Sequence, residues 1–394
     1  TAIGLGMFAL MLLMMAVRVP IAAAMFIPGA LGYWAINNEM ALLNLLKGSA
    51  VARLTVYELS VIPLFLLMGN FATQGGLSRD LFRAASSLMG HVRGGLAMAA
   101  ILSAAAFGAV CGSSVATSAT ITQVAYPEMK AHGYMGRLST ATLATGGTLG
   151  ILIPPSVPLV VYAILTEQNI AKLFAAAMVP GILAMLGYLV VVALLCRANP
   201  QLAPPAPKAS PATRRATLLG VWPLLVIFVI VFGGIYGGVF SPTEGAAVGA
   251  VATFAAGALQ GEMGWQAIKN SFVGSAETSA MVFMIFLGAD MMNATLALTG
   301  MPSAVADLVS HLPVAPLAVV GAVLLLYVLL GVLYGSTAGF LGGRVDQWMM
   351  RFADFVVALP FLLFMILFQV VFGIGPGESG ILPMLLALVV LEGQ

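Results

Sequence analysis

The feature that most constrains this chain is a pair of long uncharged runs in its first half. The first run extends from residue 94 to 126 and the second from residue 138 to 166. A helix as long as the first run would reach about 50 Å, whereas the hydrocarbon core of a bilayer is about 30 Å thick. The first run is therefore too long for one straight crossing of a membrane.

Basic residues flank the first run on both sides. Arg93 precedes it, and Lys130 and Arg137 follow it. Because loops rich in Lys and Arg favour the cytoplasm, both ends of the run are expected on that side of the membrane. The sequence thus predicts a re-entrant helical hairpin over residues 94–129, with its tip at residues 112–114. Such a non-helical tip survives at membrane depth only inside protein or beside a water-filled cavity.

The second run predicts a broken helix over residues 137–166. Pro154 and Pro155 lack the N–H group that a continuous helix requires, so they interrupt it. Two broken helices that face each other expose helix ends, carbonyls and hydroxyls, a construction typical of substrate and Na⁺ sites in secondary transporters. The candidate substrate- or ion-binding residues are the small and polar residues of the two broken centres: Gly112, Ser113, Ser114, Thr117, Gly146, Gly147, Gly150, Pro154, Pro155 and Ser156.

The hydroxyl-bearing residues Ser113, Ser114 and Thr117 predict a Na⁺ site, because oxygen ligands suit a hard cation. The alternative is that these hydroxyls bond back to carbonyls of their own helix. The glycines near Gly147 likewise either present unwound carbonyls or form a packing kink between close helices. Asp290 is a further candidate, since an acid inside a membrane segment is a functional hypothesis by default, unless it lies near the polar end of its segment.

Composition places the chain among polytopic membrane proteins. Of its residues, 61% are hydrophobic and 8% are charged, whereas about a quarter are charged in soluble globular domains. The sequence contains no basic face of the kind that binds nucleic acid, no phosphate-binding Gly-Lys-Ser/Thr loop and no His/Cys/carboxylate cluster. We therefore expect a lipid bilayer as its environment, no nucleic-acid partner, no enzymatic activity and no cofactor other than a coupling ion.

The apolar segments predict an all-α protein built from two halves. Residues 1–196 form the first half, whose odd number of crossings would give the second half the opposite orientation, as in an inverted repeat. The basic, proline-rich residues 197–216 are predicted to be an extended cytoplasmic linker, and residues 217–330 to begin the second half. Residues 316–343 would supply the counterpart hairpin. Residues 38–57 form either an interfacial helix or an ordinary loop.

Several motifs resemble the large membrane subunit of TRAP transporters, the tripartite ATP-independent periplasmic uptake systems. They are Val61-Ile62-Pro63-Leu64-Phe65, Gly112-Ser113-Ser114-Val115-Ala116-Thr117, Tyr126-Pro127-Glu128-Met129, Gly146-Gly147-Thr148-Leu149-Gly150-Ile151-Leu152-Ile153-Pro154-Pro155-Ser156 and Phe240-Ser241-Pro242-Thr243-Glu244. The resemblance extends to about Leu330. It implies an inverted-repeat, elevator-type symporter of the bacterial inner membrane, with re-entrant hairpins and broken helices. It also implies Na⁺-coupled uptake of a small organic acid, such as a dicarboxylate or sialic acid, delivered by a periplasmic binding protein, and a second, small membrane (Q) subunit.

Residues 331–394 depart from that pattern. Within them, residues 331–373 resemble the membrane permease of dipeptide/oligopeptide ABC importers, through Gly-Gly-Arg-Val-Asp at 342–346 and Leu359-Pro360. Two alternatives therefore stay open: a membrane subunit of a nucleotide-driven peptide importer, and an inactive chimeric fragment. Uptake that needs a Na⁺ gradient but survives ATP depletion would favour the symporter, whereas co-purification with an ATPase would favour the importer.

Overall fold

The computed structural model describes residues 2–17, 19–166, 168–300 and part of 325–349, and most of these residues are helical, with no β-strand among them. Two short 3-10 helices cover Tyr57–Ser60 and Pro200–Leu202. Residues 331–338 are also helical. The α-helices are, in chain order, α1 (Ala2–Ala16), α2 (Ile21–Ile36), α3 (Glu39–Leu54), α4 (Val61–Gln74), α5 (Leu77–Met89), α6 (Gly95–Cys111), α7 (Ser114–Ala131), α8 (Gly136–Leu152), α9 (Val157–Leu165), α10 (Ile170–Ala198), α11 (Pro211–Gly220), α12 (Trp222–Tyr236), α13 (Pro242–Leu259) and α14 (Trp265–Thr299).

Several helical stretches in the described part of the chain can cross a membrane by length and composition. Four qualify directly: Gly136–Ile164, Ile170–Ala198, Pro211–Tyr236 and Trp265–Thr299. A bent pair, Tyr57–Gln74 followed by Leu77–Met89 at 62°, adds a fifth if it is one span. The protein is therefore an all-α polytopic membrane protein, as its composition predicts.

The residues that cap helix α11 place its start earlier than the sequence predicts. The Ser210 Oγ atom accepts a hydrogen bond from the Thr213 N–H at 3.1 Å, with Pro211 as the first helical residue. Proline is favoured at that position because its missing N–H has no partner there anyway. Helix α11 therefore begins inside residues 197–216, and the extended part of the predicted linker is shorter than expected.

Residues 39–54 form α3, so the loop alternative for residues 38–57 is wrong.

The chain folds as two compact units, one of residues 58–279 and one of residues 1–57 together with the chain from 280 onward. In the latter unit α2 packs closely on the C-terminal part of α14. A β-carbon added to Gly29 would lie 2.8 Å from the Met291 carbonyl carbon, and the Thr295 Oγ1 atom donates a hydrogen bond to the Gly29 carbonyl at 2.7 Å. Asp290 belongs to this unit and is half-buried beside the crossing.

The unit of residues 58–279 contains a helical hairpin made of α6 and α7. At the start of α6, the Leu96 N–H donates a hydrogen bond to the Tyr134 Oη atom, just past the end of α7, at 3.0 Å. The two ends of the hairpin therefore lie together, and its turn is the break between Cys111 and Ser114. Helix α8 packs against both arms of the hairpin.

Residues 202–206 form a strap that crosses the open end of the hairpin. The Met135 N–H donates to the Leu202 carbonyl at 3.0 Å, and the Ala206 N–H donates to the Gly90 carbonyl at 2.9 Å. The Gly94 N–H, which precedes α6, donates to the Ala203 carbonyl at 3.4 Å. The segment after α10 is thus fixed to the hairpin rather than free in solution.

Candidate functional site

The tip of the hairpin is built from a glycine stop followed by a serine start. Gly112 has a φ of 67°, a left-handed conformation that glycine adopts without strain, and its N–H donates to the Gly108 carbonyl at 2.9 Å. Ser113 is extended, and its Oγ atom accepts a hydrogen bond from the Ala116 N–H at 3.3 Å. The Ser113 hydroxyl therefore caps α7. The Ser113 carbonyl accepts the Thr117 N–H at 3.0 Å and keeps a second lone pair that can face a ligand.

The break after α8 repeats this construction. Pro154 and Pro155 separate α8 from α9, and the Ser156 Oγ atom accepts a hydrogen bond from the Leu159 N–H at 3.4 Å. Because Pro154 has no N–H, the Gly150 carbonyl loses the helical donor that would normally satisfy it. The break thus places the capped N-terminus of α9 next to the C-terminus of α8, where the Gly150 carbonyl lacks its helical donor.

The hairpin tip lies directly on this break. The Gly112 carbonyl accepts a hydrogen bond from the Val157 N–H at 3.5 Å. A β-carbon on Gly112 would lie 2.6 Å from the Pro155 carbonyl oxygen, and one on Gly108 would lie 2.5 Å from the Gly150 Cα atom. The C-terminal ends of α6 and α8 and the N-terminal ends of α7 and α9 therefore converge. Helix C-termini attract cations and helix N-termini attract anions, so the cluster can accommodate both.

Thr117 is the buried hydroxyl of this cluster. Its side chain is 0% exposed, and its Oγ1 atom has no oxygen or nitrogen hydrogen-bond partner among the described residues. The thiol of Cys111 is its one hydrogen-bonding neighbour there, and a thiol is a weak partner compared with an oxygen or nitrogen. A buried hydroxyl that lacks an oxygen or nitrogen partner costs up to about 1–3 kcal/mol. The sequence left open that the Thr117 hydroxyl bonds back to its own helix. It does not: the Ser113 carbonyl, four residues earlier, accepts the backbone N–H of Thr117 but not its hydroxyl.

The three predicted glycines of α8 differ in what they face. A β-carbon on Gly150 would lie 2.5 Å from the Thr117 Oγ1 atom and 2.8 Å from the Ser113 carbonyl oxygen. Gly147 lies against the Ser118 side chain in the same way. A β-carbon on Gly146, by contrast, would lie 3.4 Å from the Ala104 Cβ atom of α6, an ordinary contact. Gly147 and Gly150 allow α7 to pack closely on α8, whereas Gly146 packs against α6.

A groove between α7 and α8 opens beside the tip. One cavity there has a volume of about 590 Å³ and an adjoining one about 460 Å³. Ser114, Ser118 and Thr122, spaced four residues apart, line it from one face of α7. Gln123 and Thr148, which were not predicted as site residues, also line the larger cavity. The four-residue spacing of hydroxyls was the signal that could have located this groove.

Of the residues predicted for the site, the ten from Gly112 to Ser156 lie in the unit of residues 58–279, and the structure brings them together at the tip, the break and the adjoining groove. Asp290 belongs to the other unit. Helix α4, which was not predicted as part of the site, supports the tip: a β-carbon on Gly69 would lie 2.8 Å from the Cys111 carbonyl oxygen.

Comparison with known proteins gives a match over most of the chain. Residues 8–341 match the family described as "Tripartite ATP-independent periplasmic transporter, DctM component".

The C4-dicarboxylate TRAP transporter large permease protein DctM of Pseudomonas aeruginosa is 38% identical over 278 residues, which are 68% of this chain and 64% of that protein. The protein of the same name from Rhodobacter capsulatus is 34% identical over 64% of this chain and 60% of its own length. The sialic acid TRAP transporter large permease protein SiaM of Vibrio cholerae is 27% identical over 78% of this chain and 72% of that protein. The chain thus spans about three fifths of the length of the first two relatives.

The family match changes the interpretation of the C-terminal segment. It continues to residue 341, past Leu330, the predicted limit of the resemblance. The resemblance of residues 331–373 to an ABC importer permease is therefore not supported. The predicted counterpart hairpin at 316–343 and the segment 331–394 lie outside the described residues, apart from short pieces between 325 and 349.

Proposed function

Since the chain belongs to the family of DctM components of tripartite ATP-independent periplasmic transporters, we propose that it is the large permease for uptake of a small organic acid. The protein is a multi-pass protein of the inner membrane. Relatives are named for C4-dicarboxylates, 2,3-diketo-L-gulonate and sialic acid, which carry a carboxylate, and one is named for isethionate, a sulfonate. A periplasmic binding protein that delivers the acid and a small membrane subunit would complete the three components.

Na⁺ is the coupling ion in this proposal, and the observation that carries it is the buried Thr117 hydroxyl, which has no oxygen or nitrogen hydrogen-bond partner among the described residues. A sodium ion bound there would satisfy this oxygen and draw on the Ser113 carbonyl, which faces the same glycine. The oxygen donors at the tip suit a hard cation. The converging C-terminal ends of α6 and α8 add favourable potential for a positive charge. Ser114, half-buried at the start of α7, completes the set of hydroxyls around the tip.

The substrate carboxylate would bind at the N-terminal ends of α7 and α9, which Ser113 and Ser156 cap. Helix N-termini are natural sites for anions, because their N–H groups lack carbonyl partners and the helix dipole favours negative charge. The groove lined by Ser114, Ser118 and Thr122 would then hold the hydroxyl or carbonyl groups of the rest of the acid. Movement of the hairpin with its bound acid, as in an elevator, would carry the substrate across.

Reconstitution in liposomes with the binding protein and the small subunit tests the proposal. Uptake of radiolabelled succinate and of sialic acid would be measured with an inward Na⁺ gradient, with equal Na⁺ on both sides, and with ATP inside but no Na⁺. We expect uptake of at least one acid with the gradient and none with ATP alone. Uptake that is unchanged when choline replaces Na⁺ would contradict the assignment of the ion.

A further inference from the structure

We propose that a second pocket, at one end of α8 and α10, binds the phosphate group of an anionic phospholipid. This headgroup pocket has a volume of about 700 Å³. Its polar side chains are Arg137, Asn199 and Gln201, and its apolar wall includes Leu138, Ala141 and Leu195. It lies at the opposite end of α8 from the break at Pro154, so it is distinct from the proposed ion and substrate site.

The location of the headgroup pocket is the surface of the membrane. Arg137 is in the first turn of the candidate span Gly136–Ile164, and Asn199 directly follows the end of the candidate span Ile170–Ala198. Exposed cations surround this end, among them Lys130 and Arg197. Basic loops favour the cytoplasmic side, where the membrane surface carries anionic lipids. The pocket therefore opens where lipid headgroups are concentrated.

The polar end of the pocket has the groups that a phosphate needs. No carboxylate lies within 4 Å of the Arg137 guanidinium among the described residues, and its one recorded contact there is the Met135 sulfur at 3.7 Å. The side chains of Asn199 and Gln201 likewise make no hydrogen bond within the described part of the chain. A guanidinium matches two phosphate oxygens in a planar, two-pronged contact. Arg137 is thus an unneutralised cation beside two free amide groups.

The apolar wall of the pocket is what favours a lipid over a free phosphate ion. Leu195 is 45% exposed, and Ala141 is exposed on the facing side of α8. The two helices touch again further along, where the hydroxyls of Thr148 and Tyr188 are 3.4 Å apart. An acyl chain lying along Ala141 and Leu195 would cover this apolar surface while the phosphate stays at Arg137. A free phosphate would use only the polar end.

A bound lipid would also join segments that are separate in the chain. Met135 and Leu202 both line the pocket. The hydrogen bond from the Met135 N–H to the Leu202 carbonyl attaches the strap to the start of α8. A phosphate held by Arg137 on one side and by Asn199 and Gln201 on the other would strengthen the same attachment. We therefore expect lipid binding to stabilise the folded protein.

The test uses the purified full chain in a neutral detergent. Phosphatidylglycerol, inorganic phosphate and succinate are added separately, while thermal unfolding and lipid retention in native mass spectrometry are measured. We expect phosphatidylglycerol to raise the unfolding temperature and to be retained, and the two small anions to do neither.

In Arg137→Gln the affinity for phosphatidylglycerol should fall by about tenfold or more, because hydrogen bonds to a charged donor are lost. Arg215→Gln, which removes an exposed cation of α11 that does not line the pocket, should bind as the wild type does.

A second variant separates a lipid from a soluble anion. Ala141→Phe fills the apolar wall and leaves the charge of Arg137 in place, so it should weaken retention of phosphatidylglycerol while leaving the unliganded unfolding temperature near the wild-type value. Equal stabilisation by inorganic phosphate and by the lipid would overturn the lipid assignment. Stabilisation by succinate that depends on Arg137 would show instead a second site for the transported acid. Equal losses of lipid in Arg137→Gln and Arg215→Gln would reduce the effect to surface charge and overturn the proposal.

Discussion

The hydroxyl of Thr117 faces Gly150 so closely that a β-carbon on that glycine would lie 2.5 Å from the Oγ1 atom. The hydroxyl is buried and has no oxygen or nitrogen hydrogen-bond partner among the described residues. A polar atom is thus held at the contact between the hairpin tip and the broken helix, at a cost of about 1–3 kcal/mol. Such a cost is expected where an atom is kept available for a ligand.

Thr117→Val should separate ion binding from folding. Valine has nearly the shape of threonine but offers no oxygen, so the Na⁺ concentration for half-maximal uptake should rise by about tenfold or more. The unfolding free energy without Na⁺ should stay unchanged or rise by about 1 kcal/mol, because an unsatisfied buried hydroxyl is removed. Uptake in proteoliposomes at varied Na⁺ and thermal unfolding in detergent measure the two effects.

Thr253→Val is the matched control for that substitution. Thr253 is also fully buried, but its hydroxyl donates to the Gly249 carbonyl within α13. Its replacement should lower stability by about 1 kcal/mol and leave the Na⁺ dependence unchanged. If the two variants have the same Na⁺ activation curve, Thr117 is not an ion ligand.

Gly150→Ala and Gly146→Ala should behave differently although they are one helical turn apart. On Gly150 the methyl group would meet the Thr117 hydroxyl and the Ser113 carbonyl, at 2.5 and 2.8 Å. Such overpacking costs about 1–3 kcal/mol and should also abolish uptake. On Gly146 the nearest atom is 3.4 Å away, and alanine favours a helix, so stability should change by less than about 1 kcal/mol. Equal effects of the two substitutions on unfolding and uptake would contradict the assigned contacts.

The sequence predicts the broken elements because their signals are local. Gly112 followed by Ser113 stops one helix and caps the next, and Pro154 with Pro155 cannot continue α8, so both breaks occur where the residue types require them. That Thr117 rather than Ser113 offers a free hydroxyl could not be read from the sequence. It depends on which hydroxyl the helix cap uses and on the close approach of α8, which is a tertiary contact.

Three other features of the structure were not predicted from the sequence. Pro211 contributed to a proline-rich composition that indicated a linker, although after Ser210 it is a helix start. The strap at residues 202–206 forms hydrogen bonds with Gly90, Gly94 and Met135, and no local pattern encodes such partners. The groove residues Gln123 and Thr148 lie on different helices, so only packing brings them together.

Tyr134→Phe should destabilise the hairpin. The Leu96 N–H donates to the Tyr134 Oη atom at 3.0 Å at a buried position, and phenylalanine would leave this N–H without a partner. A loss of about 1–3 kcal/mol in the free energy of unfolding is expected. The control is Tyr236→Phe, because the hydroxyl of Tyr236 makes no hydrogen bond among the described residues. Equal stability of the two variants in thermal unfolding would show that the Leu96 bond does not contribute.

His91→Cys and His132→Cys should both react with a membrane-impermeant thiol reagent from the cytoplasmic side. The two positions flank the hairpin, whose ends lie together, and their basic surroundings favour the cytoplasm. The native Cys111 and Cys196 are buried, so the background reaction in intact cells and inverted vesicles should be low. Labelling of the two positions from opposite sides of the membrane would exclude a re-entrant hairpin.

Thr122→Val should affect the transported acid rather than the ion. Thr122 lines the groove between α7 and α8, and its hydroxyl makes no hydrogen bond within the described residues. If it binds the acid, its loss removes a neutral hydrogen bond, so KM for uptake should rise about three- to tenfold while the Na⁺ activation curve stays unchanged.

Thr140→Val on the facing wall provides the comparison for Thr122→Val. Thr140 lines the adjoining cavity, but its hydroxyl already donates to the Gly136 carbonyl at 3.0 Å. Removing it should change KM by less than about twofold, since its donor is not free for the acid. Initial rates of uptake over a range of substrate concentrations, at saturating Na⁺, measure both variants. A Thr122→Val permease with the wild-type KM for every transported acid would show that this face of α7 does not contact the substrate.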